Sequence, residues 1–192
     1  TPNLPSVTTS AVSSLGGTSA VLNGVVNPNL ANATAYFRYS TTNPVTCDDS
    51  FGTRLPASSG TTITFNQSYS YTTFLLTPAT TYFYCAIATN SEGTGFGAVL
   101  SFTTPAAPTM VTNTQTLLTA TSVTLNGTGT PNNSSTTGSF RYDSTNPVTC
   151  SDSFGFRVPF SSGTFLGSGT TAQAYSQSIS LTPGTQYWYC AI

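Results

Sequence analysis

The four cysteines of this chain have the most distinctive chemistry, because thiols form disulfides and bind metal ions. They fall into two pairs of similar spacing, Cys47 with Cys85 and Cys150 with Cys190. Four cysteines allow three pairings, and the recurring spacing favours one disulfide within each pair. Zinc is the alternative, but two thiolates without a histidine fall short of the usual four ligands. We therefore expect two disulfides, an oxidising compartment, no metal and no cofactor.

Acidic side chains offer another route to chemistry, as the carboxylate pair of glycoside hydrolysis or as calcium ligands. The five acidic residues are Asp48, Asp49, Glu92, Asp143 and Asp152. Only Asp49 recurs in the second half of the chain, as Asp152, so no spaced carboxylate pair is repeated. Histidine and lysine are absent, which removes the usual general base and the Schiff-base amine. We therefore expect that the chain is not an enzyme.

Arginines near the two recurring aspartates suggest a structural use for these carboxylates. The candidate ion pairs join Asp49 to Arg38 or Arg54, and Asp152 to Arg141 or Arg157. Either choice would fix the loop that carries the first cysteine of each pair.

Sequons of the type Asn-x-Ser/Thr are candidate N-glycosylation sites. They begin at Asn32, Asn66, Asn126, Asn132 and Asn133. A chain this rich in Asn, Ser and Thr also generates sequons by chance, so both interpretations stay open.

A repeated hexapeptide indicates that the chain contains two copies of one module. Thr-Asn-Pro-Val-Thr-Cys occurs at Thr42–Cys47 and again, 103 residues later, at Thr145–Cys150. A period of about 100 residues is the length of a whole β-sandwich domain. We therefore expect one domain at residues 1–105 and a second, incomplete one at residues 106–192.

Short β-branched or alternating runs, separated by Gly, Pro and Asn, predict strands rather than helices. In the first copy the predicted strands are Ser6–Val12, Ser19–Val26, Thr34–Ser40, Ser68–Leu75, Thr81–Thr89 and Phe96–Thr103, with a short one after Arg54. Along Thr81–Thr89, alternation turns Tyr82 and Tyr84 inward and Cys85 outward. A bond from Cys85 to Cys47 would then pull the intervening loop over the outer face.

Two segments carry a resemblance to a known family. Leu76–Tyr82 and Leu181–Tyr187 resemble the Leu-x-Pro-x-Thr-x-Tyr corner that precedes strand F in fibronectin type III-like domains. The segments Leu22–Asn29, Ala88–Gly93 and Ser101–Pro105 are similar to bacterial surface versions of these domains. The resemblance implies two tandem fibronectin type III-like or immunoglobulin-like antiparallel β-sandwiches. It also implies that the hydroxyls of Tyr82 and Tyr187 bind nearby backbone.

Charge argues against nucleic-acid binding, and hydropathy argues against a membrane-spanning segment. Charged residues make up 5% of the chain and the net charge is −1, so the clustered Lys and Arg of nucleic-acid binding are missing. No apolar run approaches the ~20 residues that span a bilayer. Such weak charge also gives little repulsion between copies, which favours self-association or shielding by sugar.

Both ends of the sequence fall inside the repeat pattern. Thr1–Pro5 aligns with the junction segment Thr104–Pro108, and the second copy stops without a counterpart of Phe96–Thr103. An unpaired sandwich edge is a template for association, so either the array continues or a neighbouring subunit supplies the last strand. We expect a structural subunit of an extracellular or cell-surface filament, assembled head to tail. The alternatives are an adhesin stalk and a carbohydrate-binding accessory module of a secreted enzyme.

Overall fold

The computed structural model describes residues 1–192, all of which lie in β-strands, turns or loops. The chain divides into two compact units, unit 1 at Thr1–Pro105 and unit 2 at Ala106–Ile192. Every strand pairing is antiparallel. The prediction of an all-β chain with antiparallel sheets is therefore confirmed. The chain has no helix with the length and hydropathy to cross a membrane.

Unit 1 contains nine strands: β1 (Ser6–Ser13), β2 (Ala20–Asn27), β3 (Ala33–Ser40), β4 (Thr53–Leu55), β5 (Thr61–Ile63), β6 (Gln67–Thr73), β7 (Thr81–Asn90), β8 (Gly93–Phe96) and β9 (Leu100–Thr103). One sheet has the order β1-β2-β6. The other has the order β4-β3-β7-β8, with β5 beside β3 and β9 beside β7.

The core of unit 1 lies between these two sheets. Alternate residues of β2, among them Leu22 and Val26, are buried, as the period of two along a strand requires. Phe37 of β3 stacks on Tyr69 of β6 with ring centroids 4.6 Å apart. The buried hydroxyl of Tyr69 donates a hydrogen bond to the carbonyl oxygen of Tyr36 at 2.8 Å, so the core contains no unsatisfied phenol there.

Two features of unit 1 differ from the sequence prediction. The segment Phe96–Thr103 forms two strands, β8 and β9, and not one. Gly97 lies between them, and its backbone passes so close to β1 that a Cβ at Gly97 would collide with the hydroxyl of Thr9. That same hydroxyl accepts a hydrogen bond from the amide of Ala86 at 3.0 Å, which holds β1 beside β7. Where the sequence predicted one short strand after Arg54, the structure has two short strands, β4 around Arg54 and β5 after it.

Unit 2 contains eight strands: β10 (Thr109–Thr116), β11 (Ser122–Thr130), β12 (Thr136–Gly138), β13 (Phe140–Asp143), β14 (Phe156–Val158), β15 (Thr164–Gly167), β16 (Gln173–Ser180) and β17 (Trp188–Ala191). One sheet has the order β10-β11-β16 and another the order β14-β13-β17, while β12 pairs with β15. Phe140 packs against Tyr175 at 4.8 Å between ring centroids, as Phe37 packs against Tyr69 in unit 1.

The two units differ at one edge. In unit 1, β7 pairs with β3 on one side and with β8 and β9 on the other. In unit 2, β17 pairs only with β13, and counterparts of β8 and β9 are missing. The prediction that the second sandwich lacks its last strand in this chain is confirmed.

Candidate functional site

Each unit contains one disulfide, Cys47–Cys85 in unit 1 and Cys150–Cys190 in unit 2. The Cα atoms are 6.0 Å apart in both bridges, which is the usual separation for a disulfide. No cysteine is left free. Pairing therefore occurs within each module, and the thiols are not available as metal ligands.

The first disulfide anchors a loop over the outer face of unit 1. Cys85 and Ile87 point away from the main core and form a second buried cluster with Tyr36. Cys47 and Phe51, from the loop between β3 and β4, pack onto this cluster. The alternation predicted for β7 is therefore present, and the loop covers apolar side chains that would otherwise face solvent.

Ion pairs fix the same loop in both units. The Nε atom of Arg38 lies 3.1 Å from Asp49 Oδ1, and Nη2 of Arg141 lies 3.0 Å from Asp152 Oδ1. Arg38 also donates hydrogen bonds to the carbonyl oxygens of Phe51 at 3.3 Å and Gly52 at 3.2 Å. Of the two arginines considered for each aspartate, the structure selects Arg38 and Arg141.

The other two arginines have different partners, so pairing of Arg54 or Arg157 with an aspartate does not occur. Arg54 donates to the carbonyl oxygens of Pro56 at 2.7 Å and Ser59 at 2.9 Å. Its guanidinium also lies 3.9 Å from the ring centroid of Tyr36, a cation–π contact. Arg157 donates to the hydroxyl of Ser139, which occupies the position of Tyr36 in unit 2.

Asp48 organises the turn beside Asp49. Its Oδ1 accepts hydrogen bonds from the Ser50 hydroxyl at 2.7 Å, the Ser50 amide at 2.6 Å and the Phe51 amide at 3.1 Å. These bonds, the Ser50 hydroxyl first, lower the pKa of Asp48 below its usual value. No cluster of three or more candidate metal ligands occurs in the chain.

Both tyrosines of the Leu-x-Pro-x-Thr-x-Tyr corners bind the backbone of the preceding turn. The amide of Thr77 donates to Tyr82 Oη at 2.9 Å, and the amide of Thr182 donates to Tyr187 Oη at 3.3 Å. Hydrogen bonds from Thr182 lower the pKa of Tyr187. The bond is longer in unit 2, where β9 has no counterpart.

The candidate sequons divide into two groups by exposure. Asn32, Asn66 and Asn133 are exposed, so their amides are accessible to a modifying enzyme. The amide of Asn126 donates to the carbonyl oxygen of Thr114 at 2.8 Å, and that of Asn132 donates to the carbonyl oxygen of Ala107 at 2.7 Å. These two side chains serve the fold of unit 2.

An apolar groove is lined by residues from both sheets of unit 2, and the sequence did not predict it. This groove, called the open groove below, has a volume of about 180 Å³, and its walls include Leu118, Val123, Leu125, Leu181, Tyr187 and Tyr189. Tyr189 donates a hydrogen bond to the carbonyl oxygen of Asn113 at 2.7 Å, and partial burial raises the pKa of Tyr189. Apolar side chains with one polar tip suit a protein segment better than a charged ligand.

The sequence signal for this groove lies in the comparison of the two copies. Tyr187, just before β17, and Tyr189 within it are the counterparts of Tyr82 and Tyr84 in β7. In unit 1 the two tyrosines are covered by Phe102 of β9. Residues 106–192 include no counterpart of Phe102.

No protein-family model and no curated protein matches this chain. Among solved structures, the sensor domain of the anti-sigma factor RsgI4 of Pseudobacteroides cellulosolvens is 19% identical, with a TM-score of 0.36. That match covers 60% of this chain and 100% of the sensor domain.

The chicken CNTN1 FN1-FN3 domains are also 19% identical, with a TM-score of 0.39. That match covers 99% of this chain and 62% of the chicken chain, so this chain spans less than two thirds of its length. The assignment of a β-sandwich fold rests on the strand pairing described above.

Proposed function

We propose that this chain is a structural segment of an extracellular filament in which sandwich units join head to tail, and that it has no enzymatic activity. The observation that carries this proposal is the surface of both units, which has few charges and exposes many large apolar side chains. Few charges give little repulsion between copies, and exposed apolar side chains favour their association.

The disulfides support an extracellular location. Each unit is cross-linked once, and disulfides persist in oxidising compartments. Each bridge also ties a surface loop to a strand, β7 in unit 1 and β17 in unit 2, which suits a module that must resist unfolding outside the cell.

The surface composition supports association of the units with a partner. Charged residues make up only 5% of the chain, and many large apolar side chains remain exposed. The most exposed of them are Leu30, Val45, Leu75, Leu117, Val148 and Phe160. Extensive exposed apolar surface marks interaction sites in soluble proteins, because isolated copies would otherwise aggregate.

Electron microscopy and light scattering of the protein purified from its native source test this proposal. We expect filaments with a regular axial repeat. The matched control is the variant L75N/L117N, which removes two of the most exposed apolar side chains. It is expected to remain monomeric. A native protein that is monodisperse and monomeric at high concentration would contradict the proposal.

A second candidate function, binding of a glycan by an adhesin stalk or accessory module, is favoured by a separate observation. Unit 2 exposes Phe156, Phe160 and Phe165, whereas unit 1 has Thr53, Ala57 and Thr62 at the equivalent positions. Aromatic rings supply rigid contact area for recognition. Binding on a glycan array that is lost in the variant F156T/F160A/F165T, which restores the unit 1 residues, would support this function.

Covalent glycans are a further proposal for the three exposed sequons. Glycopeptide mass spectrometry of native material is expected to find sugar on Asn32, Asn66 or Asn133, and none on Asn126, whose amide is engaged in a hydrogen bond. Unmodified peptides at all three exposed sites would contradict the proposal of covalent glycans.

A further inference from the structure

We propose that Leu30 of unit 1 in one copy of this chain and Leu117 of unit 2 in a second copy form the contact through which copies associate. Each leucine lies at the tip of an exposed loop, Leu30 between β2 and β3 and Leu117 between β10 and β11. This inference rests on the proposed function, because it names the residues that join one copy to the next.

Both leucines have a backbone conformation that leucine rarely adopts. Their φ angles are 70° for Leu30 and 51° for Leu117, in the left-handed region. There the Cβ atom comes too close to the following carbonyl oxygen, so glycine and asparagine are the residues usually found. The two side chains are 84% and 78% exposed, so neither leucine stabilises a core that would offset this strain.

Unit 2 shows that the turn of Leu30 does not require leucine. The counterpart of Leu30 is Asn133, and its φ is 65°. The scaffold is the same in both turns, because the preceding asparagine donates a side-chain hydrogen bond to a backbone carbonyl oxygen, that of Leu4 in unit 1 and that of Ala107 in unit 2. Asparagine satisfies this turn without strain, so the leucine of unit 1 has a use other than folding.

Unit 1 shows the same for the turn of Leu117. The counterpart of Leu117 is Ser14, with a φ of 46°. One backbone hydrogen bond closes both loops, donated by the amide two residues further on, at 2.8 Å in unit 1 and 2.9 Å in unit 2. Ser14 is exposed in unit 1, where β8 and β9 are present, so the exposure of this loop tip does not depend on those strands.

The partner is assigned as a second copy from the chemistry of the two tips. A single exposed leucine is ordinary on a protein surface, but strain at an exposed residue persists where a function needs its side chain. The segments 28–32 and 116–121 contain no charged residue, so neither tip attracts a charged ligand. Two apolar tips that meet remove both side chains from water. Every copy of the chain supplies both tips, and its net charge of −1 gives little repulsion between copies.

The contact would join opposite ends of two sandwiches. The loop of Leu30 follows the last residue of β2, whereas the loop of Leu117 precedes the first residue of β11, which is the counterpart of β2. A contact between two different surfaces leaves one free tip of each kind on every pair of copies, so a third copy can add to it. Head-to-tail growth follows from this arrangement.

Sedimentation equilibrium of the purified chain, over a series of concentrations, tests this inference with variants that exchange residues between the units. Leu30→Asn copies the residue of unit 2 and Leu117→Ser copies the residue of unit 1, so both variants should fold. Each should weaken self-association by at least about tenfold, because it removes a leucine side chain that the contact buries.

An equal mixture of these two variants is the decisive sample. Each variant keeps one intact tip, so we expect pairs of chains that do not grow further. Leu75→Asn is the matched control, because Leu75 is also left-handed, with a φ of 59°, and is 95% exposed. It removes neither tip, so association should equal that of the unaltered chain.

Three results would overturn the inference: an unaltered chain that stays monomeric, a mixture of the two variants that stays monomeric, or equal weakening of association by Leu75→Asn. The last result would show that any exposed apolar side chain contributes, and not these two tips.

Failure of this inference and failure of the proposed function give different results. Native material that forms filaments, while Leu30→Asn and Leu117→Ser leave association of the purified chain unchanged, would contradict the assigned contact and leave the filament proposal standing. Pairs in the mixture of variants, without filaments in native material, would contradict the filament proposal alone.

Discussion

Tyr82 stacks on Phe102 in unit 1 with ring centroids 5.6 Å apart, whereas the equivalent Tyr187 of unit 2 stands beside an open groove. The two units therefore provide an internal comparison of the same sandwich with and without its last strand. Tyr84 is almost fully buried, while the equivalent Tyr189 is only partly buried. Phe102 of β9 packs against both Tyr82 and Tyr84 in unit 1.

Replacing Phe102 by alanine should destabilise unit 1 by about 3–5 kcal/mol, because it leaves a cavity between Tyr82 and Tyr84. Urea unfolding of the full chain measures the effect as a shift in the unit 1 transition. The control is Phe96→Ala in β8, where the side chain is 45% exposed and the expected loss is below about 1 kcal/mol. Equal losses for both variants would contradict the assigned role of Phe102.

Removing the first disulfide with the double substitution Cys47→Ala and Cys85→Ala should destabilise unit 1 by about 4 kcal/mol in the chain-entropy model. The bridge joins residues 38 positions apart, and its loss also frees the loop that covers Tyr36 and Ile87. Thermal unfolding by circular dichroism measures the change. Reductant should then destabilise only unit 2, through Cys150–Cys190, and any further effect on unit 1 would contradict the assignment.

The repeat and the residue alternation predicted the sandwich, the disulfide pairing and the outward direction of Cys85, because all three depend on local period or on comparison of the copies. The partner of Asp49 could not be predicted in this way. Arg38 and Arg54 lie directly opposite each other on β3 and β4, so both approach the loop, and only its folded course selects Arg38.

The break between β8 and β9 likewise depends on a distant residue. Thr9 of β1 occupies the space beside Gly97, and no residue near Gly97 in the sequence indicates that contact. The open groove was missed for a related reason. It is formed by side chains from β10, β11, β13, β16, β17 and the loops between them, and a sequence pattern shows which faces are apolar but not which remain uncovered.

Arg38 and Asp49 should contribute unequally to stability although they form one ion pair. The side chain of Asp49 is 50% exposed, so Asp49→Asn should cost less than about 1 kcal/mol. Arg38→Met also removes the charge-assisted hydrogen bonds to Phe51 and Gly52 and should cost about 1.5–3 kcal/mol. Chemical denaturation of both variants tests the order. A larger loss for Asp49→Asn would show that the ion pair, and not the carbonyl contacts, holds the loop.

Alkaline pH should destabilise the fold through its buried tyrosines. Burial raises the pKa of Tyr84 and of Tyr175 to about 12 and also raises that of Tyr69, while a tyrosine in the unfolded chain titrates near pH 10. A raised folded pKa means that the unfolded state loses its protons first. Stability is thus fully present below about pH 10 and falls as the pH rises towards about 12.

Denaturation midpoints between pH 8 and pH 11.5, with phenolate absorbance recorded in parallel, measure this loss. Tyr175→Phe should flatten the decline for unit 2, because it removes a group that ionises preferentially in the unfolded state. Midpoints that stay constant through pH 11.5 would contradict the assigned burial of these hydroxyls.

Val45 and Val148 should be replaceable by asparagine with a gain in stability. Both valines are in the left-handed region, with φ of 67° and 64°, and are 81% and 89% exposed. A β-branched residue is strained there, whereas asparagine adopts that conformation readily. Each substitution should raise the free energy of unfolding by about 1 kcal/mol in thermal or urea unfolding. Val111→Asn is the control, because Val111 is exposed but lies in β10, where asparagine is disfavoured and should give no gain. If asparagine destabilises unit 1 or unit 2 at these loop positions, the prediction is wrong. The contacts of the valine side chains would then stabilise the fold by more than the backbone strain destabilises it.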